Sequence, residues 1–258
     1  NTFTYEGGVR KLKENLYEIL REINLRFITN KKILDKKIKY PLNLTEDMIK
    51  KDILLYKPKI NLQLIHDKPK VGVINGLWAC DYGIGGIAPI EVIYSYSDNN
   101  LELELTGSQG DVMQESMKVA KSVALSLLTT KKINNLFKKL KTTKLSGIHI
   151  HCPDGATPID GPSAGCAIAI AIYSLLINEP INNTIAITGE LTLQGNITEI
   201  GGLKEKIYGA ISAGIETILY PEENSLDIKL LLEKDLTIID KIQLISIKNV
   251  KDAIKNIF

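Results

Sequence analysis

Cysteine, aromatic side chains and long apolar runs are all scarce in this sequence. Its three cysteines (Cys80, Cys152 and Cys166, of 258 residues) are odd in number and too few for a disulfide framework. They suit a reducing intracellular compartment, cytoplasm or mitochondrial matrix, and not a secreted protein. No secretory signal opens the chain, and no apolar run reaches the roughly 18 residues that a membrane span needs. The longest, within 164–177, is interrupted by Tyr173 and Ser174 and reads as a buried helix. Neither sign of charge dominates: 32 basic against 30 acidic residues leave a net charge of +2. Phosphate binding needs a basic excess gathered on one face, so nucleic acid is a conceivable partner that the balance does not indicate. Trp78 and the tyrosines form no stacking stripe. A Gly-x-x-x-x-Gly-Lys-Ser/Thr loop is also missing, and the Gly83–Gly86 cluster has no lysine, so these residues alone hold no nucleotide triphosphate.

Apolar residues are plentiful, at 44% of the chain, enough for one large domain or two smaller ones. Val9, Leu12, Leu16, Ile19 and Ile23 recur at helical spacing. A second helix is predicted to start at Thr45, with Glu46 and Asp47 in its first turn, where carboxylates suit the helix dipole. Polar residues and Pro69 break the pattern over 64–70, which places a boundary between residues 1–68 and 69–258. Beyond it, strands are predicted at 70–79, 87–96, 101–105, 147–151, 184–188, 191–194, 217–220 and 243–246. Helices are predicted at 111–130 with Asp111 as cap, at 163–178, at 203–213 ending on Gly214, and at 250–257. Strands and helices mixed without strict alternation give an α+β class. No internal repeat or low-complexity tract occurs.

The chemistry concentrates around Asp160-Gly161-Pro162-Ser163-Ala164-Gly165. Proline favours the first turn of a helix, and the glycines allow close backbone approach. Ser163 then stands at the mouth of an apolar helix whose first amides lack partners, as an oxyanion hole requires. The same residues also suit a simple helix cap. A nucleophilic serine needs a base. His149 and His151 alternate on one strand and face the same side. A lysine serves only when neutral, so burial must lower its pKa from about 10.4. In Gly201-Gly202-Leu203-Lys204-Glu205-Lys206, both lysines have apolar neighbours at helical offsets, and periodicity does not choose between them.

Three segments in this order and spacing resemble the Lon protease signature: Gly155-Ala156-Thr157-Pro158 through Gly165, Thr188-Gly189-Glu190, and Gly201 through Lys206. The runs Thr106–Ser116 and Ile148–His151 resemble the same proteolytic domain, and Gly8-Val9-Arg10-Lys11-Leu12 resembles the last long helix of an AAA+ lid. The resemblance implies a ribosomal protein S5 domain 2-like proteolytic domain at 69–258 behind the helical end of an AAA+ lid at 1–68. It implies a Ser–Lys dyad of Ser163 and Lys206, with Thr188 orienting the lysine and Asp160 tied to opening and closing of the serine loop. Arg10 would be a sensor arginine for ATP, with ATP and Mg2+ bound upstream of this chain. The implied activity is ATP-dependent degradation of unfolded or tagged proteins by a homo-oligomeric ring of six, with no membrane partner. Two positions depart from the family pattern: Ile159 stands where many members have lysine, and Cys152 where valine is common.

Two features carry a blander meaning. His149, His151 and Cys152 do not complete a zinc ligand set, because the remaining Cys and His residues are scattered, so no metal is expected. Lysine-rich 131–144 reads as a solvated helix face.

Overall fold

The computed structural model describes residues 8–57, 63–80, 83–107, 110–152 and 161–258. It divides into two compact units, Asn1–Asn61 and Leu62–Phe258. The division falls just before the composition break at 64–70.

The first unit is a long helix and a small cap. Helix α1 (Arg10–Ile28) buries Ile19 and Ile23. The N-terminal part of the predicted stripe is not buried within this unit: Val9, Leu12 and Leu16 are each more than half exposed. A tight hairpin joins β1 (Lys32–Ile33) to β2 (Lys36–Lys37) through Leu34 and Asp35, both at positive φ. Thr45 caps α2 (Glu46–Met48), its hydroxyl accepting the Met48 N–H at 3.3 Å, and the chain continues into a π-helical turn at Ile49–Ile53. Ile33, Ile53 and Leu54 close a core over Ile19 and Ile23.

The second unit is built on one seven-stranded mixed sheet. Its elements run β3 (Lys70–Val71), β4 (Val73–Cys80), β5 (Ile84–Ser95), β6 (Leu103–Thr106), α3 (Asp111–Ser126), α4 (Thr130–Leu140) and β7 (Gly147–His151). After the serine come α5 (Gly165–Ile177), β8 (Pro180–Ile181), β9 (Ile185–Ile187), β10 (Glu190–Leu191), β11 (Ile197–Thr198), α6 (Leu203–Ala213), β12 (Thr217–Pro221), α7 (Ser225–Lys234), β13 (Gln243–Ile247) and α8 (Val250–Ile257). The sheet order is β13-β12-β9-β4-β5-β7-β6. The β13, β12, β9 and β4 neighbours are parallel, β4-β5-β7 antiparallel, and β7-β6 parallel again. The C-terminal half therefore does alternate: β9, α6, β12, α7 and β13 make successive parallel crossovers, so mixed α/β describes the unit better than segregated α and β.

Several local differences from the sequence reading have clear causes. The strand predicted over 70–79 splits at Gly72, which sits at φ +72°, and a Cβ there would lie 2.2 Å from the Val92 carbonyl oxygen. Asp111 is the first helical residue rather than the cap; Gly110 occupies the cap and no side chain bonds there. The helix predicted to Thr130 stops at Ser126, because Thr129 starts a new one, its hydroxyl accepting the Lys132 N–H at 3.4 Å. Helix α7 lies where no element was predicted.

Helix α5 is apolar all round and is buried from Gly165 to Ile172. It packs against α3, β4 and β5, and ends on left-handed Asn178. Helix α6 approaches β5 closely enough for backbones to touch. A Cβ on Gly209 would stand 2.2 Å from the Gly85 carbonyl carbon, and one on Gly85 would stand 2.2 Å from the Glu205 carbonyl oxygen. Neither neighbour is a flexible side chain, so α6 must lift to admit a methyl group. Gly209→Ala should destabilise the unit by about 1–3 kcal/mol despite alanine's better helix propensity. Urea unfolding of the variant decides this; a midpoint at or above the parent's would show that the contact is not close.

Candidate active site

Three segments distant in sequence converge at one end of α5. Pro162–Ala164 forms a 3-10 turn with proline at its start and leads directly into the helix. The Ser163 carbonyl is held twice, by the Gly189 N–H at 2.8 Å and by the Thr188 hydroxyl at 3.3 Å. Thr188 is fixed in turn at the end of β9, where its N–H bonds to the Leu219 carbonyl of β12 at 3.1 Å. The Thr188-Gly189-Glu190 run is therefore a bracket for the serine turn.

Lys206 enters from the second turn of α6. Its Nζ lies 3.0 Å from Ser163 Oγ and 3.2 Å from Thr188 Oγ1. The lysine is 3% exposed and Thr188 0%. Burial pushes the amine pKa from 10.5 down to about 8. Lys204, left open by periodicity, is exposed on the opposite side of the helix. Hydrogen-bond directions follow from this geometry. The Thr188 hydroxyl spends its single proton on the Ser163 carbonyl, so it accepts from Lys206. A neutral Lys206 then donates to Thr188 and keeps its lone pair for the Ser163 hydroxyl.

Two further features position α6 and were not visible in the sequence. Gly202 caps the helix at φ +67°, with Ala79 Cβ 2.7 Å from where its own Cβ would be. Buried Asn224 clamps the preceding loop, accepting the Ile200 N–H and donating to the Ile200 carbonyl, both at 3.0 Å. Asn224 is 18 residues from Lys206, and no local pattern marks it.

The dyad opens onto a cleft of about 470 Å³. Leu77, Trp78, Ile90 and Met113 give it apolar walls, and Glu190 and Glu199 contribute carboxylates. Cys152 lines it too, but burial pushes that thiol up to about 12, so it is no thiolate nucleophile. Of the amides at the start of α5, Gly165 N–H is bound to the Pro162 carbonyl and Cys166 N–H to Gly189 at 3.1 Å. The Ser163 N–H has no acceptor among the described residues.

The other predicted site residues fall elsewhere. His149 Nε2 and His151 Nδ1 both lie 2.8 Å from the Thr106 hydroxyl, tying β7 to β6, and neither contacts Ser163. Among the described residues no three His, Cys, Asp or Glu side chains are grouped as metal ligands. Arg10 is exposed at the start of α1 and bonds to Glu14 at 3.1 Å. Asp160 lies outside the described residues. No described helix is long and apolar enough to cross a membrane.

A serine hydroxyl 3.0 Å from a buried lysine amine, at the mouth of a helix and beside a cleft, is the arrangement of a serine hydrolase that would use lysine as its base. The family is fixed by comparison: the chain belongs to the Lon proteases, with residues 43–258 matching the Lon protease (S16) C-terminal proteolytic domain. It is similar to the Lon protease of Rickettsia prowazekii (strain Madrid E), 37% identical over 98% of this chain and 30% of the relative. It is also similar to the Lon protease of Mycoplasmopsis agalactiae, 39% identical over 86% of this chain and 21% of the relative. A Lon protease homolog of Acanthamoeba polyphaga mimivirus is 38% identical over 79% of this chain and 20% of the relative. The chain thus spans less than a third of the length of these relatives.

The buried amine makes a stability prediction. Between about pH 8 and 10.5 the unfolded chain binds the Lys206 proton and the folded chain does not. Stability therefore rises with pH through that window, and below about pH 8 the folded protein bears the full cost of a buried charge. Lys206→Met should remove that cost, stabilising the protein at pH 7 by on the order of 2 kcal/mol, with a gain that shrinks toward pH 10. Urea unfolding at both pH values tests it; a pH-independent difference would mean that the amine titrates normally.

Proposed function

We propose that this chain supplies the peptide-cleaving site of an ATP-dependent serine endopeptidase, with Ser163 as nucleophile and Lys206 as base. The observation that carries the reading is the 3.0 Å contact between a nearly dry lysine amine and the serine hydroxyl. Ser163 Oγ attacks the scissile carbonyl carbon and its proton passes to Lys206 Nζ. The resulting oxyanion is met by the backbone at the turn that opens α5, the Ser163 N–H foremost. Lys206, now charged, gives its proton to the leaving amine as the C–N bond breaks. Water then attacks the acyl-enzyme with Lys206 again taking a proton, and Ser163 is regenerated with release of the new carboxylic acid. Thr188 is a positioning residue, holding the amine with its lone pair toward Ser163. Asp160 keeps the role that the resemblance implies, at the loop that opens and closes the site.

The finer assignments rest on the family resemblance. They are an S5 domain 2-like fold for 69–258, the end of an AAA+ lid for 1–68, and a ring of six copies acting on unfolded or tagged proteins. The free state of Cys80, Cys152 and Cys166 suits a reducing intracellular compartment. ATP and Mg2+ belong to the ATPase part of the whole protein. The described residues do not make a nucleotide site, since Arg10 is a single exposed arginine paired with Glu14, and no chemical step here uses the nucleotide.

Ser163→Ala and Lys206→Ala should each reduce hydrolysis of an unstructured peptide by at least about a thousand-fold, and the double variant should lose little more. Lys204→Ala should remain near the parent. The parental rate should rise with pH through about 8, where the amine loses its proton. Thr188→Val, which keeps the shape but not the hydroxyl, should lower the rate by misdirecting the lone pair. Initial rates from acid to alkaline pH check all of these; a flat parental profile, or an inactive Lys204→Ala beside an active Lys206→Ala, would remove Lys206 from the mechanism.

A further inference from the structure

The near-neutral total conceals a strong separation of charge. Between Glu115 and Asp154 the sequence has eight lysines and no carboxylate. Seven of these lysines are exposed, Lys121 being the half-buried exception, and none of the seven forms an ion pair among the described residues. On α4, Lys131 and Lys138 are two turns apart, as are Lys132 and Lys139, so the four make one exposed stripe that flanks buried Leu136 and Leu140. Residues 216–240 show the reverse, seven carboxylates against two lysines. Glu216, Glu233 and Asp240 are exposed there without an ion pair among the described residues.

The fold puts these two regions at opposite ends of one sheet. Helix α4 leads into β7, beside the β6 edge, with Lys139 over the Tyr94 ring of β5. Residues 216–240 carry β12 and α7, beside the β13 edge. Each end also exposes large apolar side chains: Tyr96, Phe137 and Leu145 at the basic end, and Leu226, Leu230, Leu236 and Ile239 at the acidic end. The acidic end holds a hollow of about 630 Å³ with Tyr220, Ile228, Leu232 and Ile239 in its wall, and its charged lining is two carboxylates, Glu216 and Asp240, against one lysine, Lys241.

We propose that these ends are the two halves of one contact between copies of this chain, the basic α4 end of one copy docking on the acidic β12–α7 end of the next. This assigns the faces of the ring put forward above and rests on that reading. Two different, complementary patches at opposite ends of a molecule give a head-to-tail contact, the kind that closes rings. Both patches are neutralised by it, and apolar side chains on both sides are covered. A polyanion on the α4 stripe would neutralise only one end and leave the apolar residues of the other in water.

The test is sedimentation of the 258-residue chain over a range of concentrations at low and high salt. Three variants accompany the parent: Lys131→Glu with Lys138→Glu, Glu216→Lys with Asp240→Lys, and all four together. All four side chains are exposed, and circular dichroism verifies the fold. Association of the parent should weaken with salt. Each double reversal should weaken it by about ten-fold or more, because like charges then face each other. The four-fold variant, and an equimolar mixture of the two double variants, should associate like the parent, since complementarity returns in both. If the parent associates but neither reversal changes it, or neither combination restores it, the face assignment is wrong and the ring reading stands. A parent that is monomeric throughout overturns both. Tight, salt-sensitive binding of a single-stranded oligonucleotide, lost in Lys131→Glu with Lys138→Glu while self-association is untouched, would make α4 a nucleic-acid surface and overturn the proposal.

Discussion

A lysine amine held out of water, 3.0 Å from a serine hydroxyl, organises this domain. An ammonium in that position carries a desolvation cost, so burial lowers the amine's pKa and brings the neutral form, the one that accepts a proton, within reach at a lower pH. Everything nearby serves to keep the amine dry and aimed. The backbone contact of Gly85 with α6 brings the helix down onto β5, Gly202 sets its first turn, and Asn224 fixes the loop before it. Thr188 and Gly189 hold the serine turn from the other side.

Division of labour between the two halves of the sheet follows from this. The antiparallel β4-β5-β7 part supplies the glycine platform and the cleft wall, while the parallel β9-β12-β13 part carries Thr188 at the end of β9 and takes up the chain from α6 into β12. Ser163 stands at the mouth of a helix buried from Gly165 to Ile172. Cys152 and Cys166 sit within the same core, and burial raises the pKa of both thiols.

The charge distribution adds a second level. Composition alone gives +2, yet basic and acidic residues are sorted toward opposite edges of the sheet. Sorting of this kind is invisible in a net charge and acts through the field at each surface.

Much of this was legible in the chain itself. Helices at 203–213 and 250–257 and the strand at 147–151 are local: periodicity, a capping glycine and alternation suffice to place them. The serine turn and the Thr-Gly-Glu run are also local, because each needs particular residues side by side. Other features depend on partners far away in sequence. Gly72 breaks a strand because of Val92, and Gly85 matters because of Glu205 and Gly209. The choice of Lys206 over Lys204 was not available from helical spacing, since both have apolar neighbours on α6. The sequence by itself determined which chemical groups are present and which lie next to each other along the chain. Tertiary structure decided which lysine loses its water, because desolvation depends on every element packed around an atom and not on the residues beside it in sequence.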